Sequence, residues 1–295
     1  MASIYRGQDR VQMYLGMLPG LLVYLLFALV PSIATAIISL TNYSGIPGVS
    51  VSFVGFENYV QAFVLDSQGI LGSIRDTLIF AVSVTVIQNA LGLFMAHLFT
   101  KKYPGRGLFR SLVFMPAALG VTVIGLMWAL IFNPSGGPAA ALFGLWGGSS
   151  AFFGSNSLAL PLVILVQIWA NLGFTTIVYL AGMNTVPVEL YEAAKMDGAS
   201  SFTSFKDITF PLIAPSTTVN VLLAVVGSLN TYDLIYVLTD GLYHTNTLGM
   251  YMFNTAFEGS SNLGLAATIG MVQFVITLIV ALTLQKYLRK REEAL

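Results

Sequence analysis

Two groups of polar side chains recur at helical spacing inside long apolar runs. Gln167, Asn171 and Phe174 lie four and three residues apart, so they share one face of a helix. A second stripe of small and polar residues has similar spacing and consists of Asn220, Ala224, Gly227, Ser228 and Thr231. Amide and hydroxyl groups can hydrogen-bond a polar solute, and an aromatic ring can pack on its C–H surface. The pattern therefore predicts a solute path lined by Gln167, Asn171, Phe174, Ser228 and Thr231, with Trp169 as a second aromatic.

The same residues have a structural interpretation that the sequence leaves open. Small and hydroxyl-bearing residues also allow helices to pack closely inside a membrane. Other polar side chains in the apolar runs are predicted to make structural hydrogen bonds. These are Gln88, Asn89 and Gln273, between helices, and Asn230, Tyr232 and Asp233, near the outer end of their helix.

Several kinds of chemistry are excluded by what the sequence lacks. It has no cysteine, which excludes disulfides and thiolate metal sites. His97 and His244 are far apart and have no clustered carboxylates beside them, and no Ser–His–Asp arrangement is visible. The phosphate-binding pattern G-x-x-x-x-G-K-[ST] is absent, so the chain cannot hydrolyse ATP by that route. We predict no catalytic residue, no metal site and no cofactor bound by this chain.

The composition is that of a membrane protein. Hydrophobic residues make up 56% of the chain and charged residues 9%, whereas soluble domains carry about 25% charged residues. Crossing about 30 Å of hydrocarbon takes roughly 20 helical residues. We predict an all-α membrane protein with six transmembrane helices in a single domain, residues 1–295, with spans near 13–40, 77–99, 109–132, 158–183, 212–236 and 263–285.

The distribution of positive charge predicts the orientation of these spans. The chain has 13 Lys and Arg residues, and only Arg75 lies in an outer loop. The others lie in four segments that six spans place on one side, which the positive-inside rule makes cytoplasmic. They are Arg6, Arg10, Lys101, Lys102, Arg106, Arg110, Lys195, Lys206, Lys286, Arg289, Lys290 and Arg291. Both termini are therefore predicted to be cytoplasmic.

The loop between the fourth and fifth predicted spans is unusually polar. Pro187 suits the first turn of a helix, and Gly198 after Asp197 suits a helix end with positive φ. A second short helix, capped by Ser200 or Ser201, is predicted to carry on one face Phe202, Phe205 and Ile208. The residues alone leave open whether this bent pair of helices is a docking knob or an ordinary connecting loop.

The spacing within this loop resembles a known family motif. Glu192-Ala193-Ala194, then Gly198, Ile208 and Pro211, match the EAA loop of ABC-importer permeases, EAA-x3-G-x9-I-x-LP, with Phe210 where the family usually has Leu. The resemblance implies a MetI-like permease core. It also implies that residues 187–211, hereafter the coupling loop, dock in a cleft of an ATPase subunit through Glu192, Ala193, Ala194, Asp197 and Gly198.

Other segments are similar to the carbohydrate-type, MalF-like permeases. They are VGFENYVQAF at 54–63, GRGLFRSLVFMPAALGVTVIGLMWALIFNP at 105–134 and YDLIYVLT at 232–239. After the last of these the group usually continues GGGP, whereas this chain has Asp240-Gly241-Leu242-Tyr243. The group also places its solute contacts on the fourth and fifth spans.

The resemblance implies import of a sugar or sugar-like solute by alternating access across a bacterial or archaeal inner membrane. The implied partners are a second permease subunit, an ATPase dimer that holds ATP and Mg, and an extracellular solute-binding protein. Two alternatives stay open: import of a non-sugar solute, and an ion-coupled secondary transporter. The latter would call for a carboxylate or a broken helix deep within a span.

Overall fold

The computed structural model of the chain describes residues 7–101, 103–258 and 262–293. These residues form α-helices joined by loops and short turns, with one isolated β-bridge between Thr41 and Phe53. In chain order the helices are α1 (Gly7–Tyr24), α2 (Val30–Ile38), α3 (Glu57–Val60), α4 (Ser67–Thr100), α5 (Arg106–Phe114), α6 (Val121–Ile131), α7 (Pro138–Gly144), α8 (Ala159–Asn184), α9 (Val188–Met196), α10 (Ser201–Ser204), α11 (Phe210–Leu212), α12 (Ala214–Leu229), α13 (Asp233–Thr239), α14 (Leu248–Phe257) and α15 (Leu263–Glu293).

Within the described residues, four segments are long and apolar enough to cross a membrane as one piece. The first runs from Leu15 to Ile38, where a π turn at Leu25–Leu29 joins α1 to α2, and the others are α4, α8 and α15. Two bent pairs of segments, one on each side of α8 in the sequence, are also long and apolar enough when each pair is taken as one segment. The predicted all-α membrane fold is confirmed, and the described residues supply six spans if each bent pair counts as one.

The third predicted span, 109–132, is not one straight helix. The segments Arg106–Ala118 and Val121–Ile131 meet at an angle of 108°. Pro116 has no backbone N–H to continue the α-helical ladder, and the chain passes through a 3-10 turn at Met115–Ala118. Gly120 is then extended, at φ −70° and ψ 149°. The bend thus lies inside the apolar run that the sequence predicts as one span.

The fifth predicted span, 212–236, is interrupted as well. Its helix α12 ends at Leu229, and the chain turns before α13 begins at Asp233. At the other end, the segment Ser201–Leu212 meets α12 at 70°. Residues 230–232 therefore lie at a helix break rather than along a straight helix. The carbonyl oxygen of Thr231 accepts from Thr247 Oγ1 at 3.1 Å there.

Small residues allow the central helices to approach closely. A methyl group added at Gly92 of α4 would lie 2.5 Å from Cγ2 of Thr175 in α8. One added at Gly173 would lie 2.7 Å from the carbonyl oxygen of Val113. Beside these crossings lies an apolar core in which α4 and α8 contribute Phe80, Val84, Val163, Val166 and Ile168.

Buried amides connect the same helices, as predicted for three of them. The Gln88 side chain donates to Thr175 Oγ1 at 2.8 Å, and Asn89 accepts from the Tyr179 hydroxyl at 2.8 Å. Gln273 of α15 donates to the carbonyl oxygen of Leu229 at 3.2 Å. Because unpaired polar groups are costly away from water, these bonds fix the relative positions of α4, α8, α12 and α15.

Candidate functional site

Two adjoining cavities lie where the helix breaks meet α8. The larger, of about 500 Å³, is bounded by α8, by the 3-10 turn at Met115–Ala118 and by the break between α12 and α13. The smaller, of about 190 Å³, lies between α4, α8 and α12. Both are lined by Gln167, Asn171, Phe174 and Gly227. Of the other predicted path residues, Thr231 lines the larger cavity and Ser228 the smaller, so the structure brings the predicted set together.

The polar groups on this wall are held by local hydrogen bonds. The Asn171 side-chain amide donates to the Gln167 carbonyl oxygen at 3.0 Å, one turn earlier on α8. Thr231 Oγ1 donates to the Gly227 carbonyl oxygen at 2.9 Å. An amide has two N–H donors and an acceptor oxygen, so Asn171 retains hydrogen-bonding capacity toward the cavity. The arrangement can present fixed donors and acceptors to a polar solute.

The aromatic contribution differs from the prediction for Trp169. Its ring lies edge-on to Trp128, with centroids 5.4 Å apart, in the apolar core, and it lines neither cavity. Phe174 is half exposed in the cavity wall. Tyr232 also lines the larger cavity and stacks on Phe253 at 5.5 Å. The accessible aromatic rings in the cavity walls are therefore those of Phe174 and Tyr232.

Asn230 and Asp233 were predicted to make structural hydrogen bonds only. In the structure they also form part of a cavity wall. Both line the larger cavity. They also make local bonds, because Asn230 donates to the Val226 carbonyl oxygen at 2.7 Å and Asp233 accepts from the Leu234 amide at 2.8 Å. Their place in the wall does not follow from a fifth span that runs straight through residue 236, because α12 ends at Leu229. The signal available was the run Asn230 to Asp233, which is polar at a predicted span end.

The two broken elements contact each other beside the larger cavity. A methyl group added at Gly125 of α6 would lie 2.5 Å from Cγ1 of Val237 in α13. Ile124, Leu234, Ile235 and Leu238 are buried in the same core. Movement of either element would therefore change the shape of the cavity.

The coupling loop has the bent two-helix form that its sequence predicts. Helix α9 ends at Met196. Gly198, two residues later, has φ +76°, and the Ala199 amide donates to the Ala194 carbonyl oxygen at 2.9 Å. The Ser200 side chain accepts from the Thr203 amide at 3.1 Å and caps α10. The second helix is shorter than expected, because a π turn follows at Phe205–Thr209. Phe202 of α10 is 74% exposed, whereas Phe205, the first residue of the π turn, is partly buried.

The first half of the coupling loop protrudes from the molecule. No residue of α9 is buried, and Glu192, Ala193, Asp197 and Gly198 are exposed, while Ala194 is partly covered. Apolar side chains are exposed beside them: Val188, Leu190, Met196 and Phe202. An exposed apolar patch with charged neighbours is typical of a protein-binding surface.

Comparison with known proteins assigns the chain to a family. A profile described as "binding-protein-dependent transport system inner membrane component" matches residues 88–293. The chain belongs to this family. The match covers the cavities, both broken elements and the coupling loop, so the permease has a transport role and is integral to the membrane.

Relatives of this permease align over nearly their full length. It is 31% identical over 282 residues, 95% of this chain and 94% of the relative, to a trehalose/maltose transport system permease protein, MalF, of Thermococcus litoralis. It is 28% identical over 278 residues, 93% of each chain, to the sn-glycerol-3-phosphate transport system permease protein UgpA of Agrobacterium fabrum. The resemblance found in the sequence is confirmed.

A solved structure has the same fold. A chain in the crystal structure of a bacterial alginate ABC transporter, in complex with an alginate pentasaccharide-bound periplasmic protein, matches with a TM-score of 0.84. The alignment covers 97% of this permease and 96% of that chain, at 21% sequence identity.

Proposed function

We propose that the chain is the permease subunit of an ATP-driven ABC importer for a sugar or sugar-like solute, and that it works by alternating access. The observation that carries the proposal is the convergence of Gln167, Asn171, Phe174, Ser228 and Thr231 on two adjoining cavities. The coupling loop precedes the opposite end of α12, about 20 Å away along the helix at 1.5 Å per residue. One helix thus joins the candidate solute path to the candidate docking knob.

The chemistry of the cavity wall supports a polyhydroxylated solute. The lining residues include amide and hydroxyl side chains and two accessible aromatic rings, a combination that can orient small polar ligands. The named cargoes of the relatives are trehalose and maltose, glycerol 3-phosphate and alginate, so sugars and sugar-like compounds recur among them. We extend that class to this permease.

The proposed machine needs further subunits. In the most apolar part of the segment Leu15–Ile38, no residue is buried by the rest of the chain. This helix is therefore available to lipid or to a second permease subunit. The exposed α9 would dock in a cleft of an ATPase dimer that holds ATP and Mg. An extracellular solute-binding protein would deliver the solute, as the periplasmic protein in the alginate transporter complex suggests.

The orientation follows from the positive-inside rule. The coupling loop lies in the same predicted compartment as Lys101, Arg106 and Arg110 and as the basic end of α15. We propose that this compartment is the cytoplasm and that both termini lie there, in the inner membrane of a bacterium or archaeon.

Reconstitution with controlled energy sources tests the function. The importer, purified with its cognate ATPase subunits and binding protein, would be placed in liposomes and supplied with radiolabelled trehalose, maltose or glycerol 3-phosphate. We expect uptake of at least one of them with Mg·ATP and binding protein, and none with a proton or sodium gradient alone. Uptake driven by an ion gradient without ATP would contradict the proposal.

A further inference from the structure

The second half of the coupling loop is held by aromatic contacts on two sides. The guanidinium carbon of Arg291, near the end of α15, lies 4.7 Å from the ring centroid of Phe210. Phe210 in turn lies 6.5 Å from Phe205, measured between ring centroids. Phe205 meets His97 of α4 edge-on at 5.0 Å. A continuous series of contacts therefore runs from α15 through the coupling loop to α4.

Two hydrogen bonds link this series to α9 and to α12. The Tyr191 hydroxyl and Thr209 Oγ1 are 2.8 Å apart, which joins the exposed helix α9 to the π turn that carries Phe205. Thr218 of α12 hydrogen-bonds Glu292, the residue after Arg291. Helix α9 is therefore joined to the part of the coupling loop that contacts both α4 and α15.

We propose that the pairs Arg291–Phe210 and Phe205–His97 brace the coupling loop between α4 and α15, so that the ends of both helices follow its movement. Arg291, Phe210, Phe205 and His97 are positioning residues in this account. The inference rests on the proposed function, since it requires an ATPase that moves the coupling loop. Displacement of the coupling loop is then passed to α4 and to α15, in addition to α12, which follows the loop directly in the chain.

The residue at position 210 makes this brace a property of the present chain. The sequence has Phe210 where the motif it resembles usually has Leu, and only an aromatic ring offers a π face to a cation. Leu at this position would keep the apolar bulk and lose the contact with Arg291. The substitution Phe210→Leu therefore separates the cation–π contact from simple packing.

Hydrogen exchange on the assembled importer tests the brace without a known solute. Exchange of residues 94–100, 199–211 and 286–293 would be compared between the resting importer and the importer trapped with Mg·ATP and vanadate. In the unaltered protein we expect trapping to change the hydrogen exchange of all three segments, and this change is called the response below. In Arg291→Gln and in Phe210→Leu, the response of 286–293 should fall about two- to fivefold, the change that an exposed cation–π contact can produce.

Controls distinguish positioning from general disruption. Arg291→Lys keeps a cation and should retain most of the response, and Arg289→Gln, at an exposed arginine on the same helix, should retain all of it. The double variant Arg291→Gln/Phe210→Leu should lose no more than either single variant, because both remove one contact. Phe205→Ala should reduce the response of 94–100 and leave that of 286–293 in place.

Two outcomes would overturn the inference, and they differ in meaning. If 199–211 responds to trapping while 286–293 responds equally in the unaltered protein and in Arg291→Gln, the brace is wrong and the proposed function stands. The proposed function fails, and the inference with it, if no ATPase co-purifies with the unaltered permease. The same holds if trapping leaves the hydrogen exchange of residues 199–211 unchanged.

Discussion

At the scale of single residues, Asn171 connects the two cavities. It lines both of them and lies one turn from Gln167 on the same face of α8. Its position could be predicted from the sequence, because amides four residues apart share a helix face whatever the details of the fold. Tyr232 and Asp233 could not be placed in the same way, since their orientation depends on where α12 ends.

Asn171→Ala tests the solute path at this scale. One hydrogen bond contributes about 0.5–1.5 kcal/mol, so the apparent affinity for the transported solute should fall by a factor of about 2 to 12. Asn184→Ala, an exposed amide at the end of the same helix, is the matched control and should transport normally. The concentration dependence of uptake in proteoliposomes gives the apparent affinity of each variant. If Asn171→Ala and the unaltered permease transport the solute equally well, the Asn171 side chain does not bind it.

Gly198→Val tests the coupling loop. Gly198 has φ +76° and open space around its α-carbon, so a branched side chain would strain the backbone without a steric clash, by about 1–2 kcal/mol. We expect weaker retention of the ATPase subunits during purification, and lower uptake. Gly48→Val is a matched control, because Gly48 has φ +89°, open surroundings and a place in a predicted outer loop. The docking claim fails if both variants retain the ATPase equally.

At the scale of helices, the spans and the breaks differ in how far they can be predicted. Length and hydropathy are enough to locate the six apolar segments, because lipid requires an uninterrupted run of apolar residues. The breaks leave a weaker trace, since Val121–Ile131 and Asp233–Thr239 continue in largely apolar sequence. Pro116 was the local signal for the first break. The second break depends on tertiary contacts such as that of Val237 with Gly125.

Pro116→Ala tests the role of the first break. Alanine restores an N–H that can extend α5, so the bend of 108° should decrease and the larger cavity should shrink. We expect slower uptake with the ATPase still bound. Pro138→Ala is the control, because Pro138 begins α7, where the N–H has no helical partner. Unchanged transport by Pro116→Ala would show that the break is dispensable.

At the scale of the whole molecule, the permease joins two surfaces of different character. One is a polar-lined pair of cavities among the spans, and the other is an exposed knob on the predicted cytoplasmic side. Helix α12 and the contacts of Phe205 and Phe210 connect them. This layout suits a protein that receives mechanical work from a partner and uses it to reshape a solute path.

Photo-crosslinking from the tip of α9 tests the central claim most directly. The chain has no cysteine, so Met196→Cys supplies a single thiol at a side chain that is 87% exposed. The thiol would be labelled with benzophenone maleimide and irradiated in membranes that contain the assembled importer. We predict a covalent adduct with the ATPase subunit from position 196, and none from Trp146→Cys in a predicted outer loop. An importer that assembles and hydrolyses ATP but gives no ATPase adduct from position 196 would contradict docking through the coupling loop.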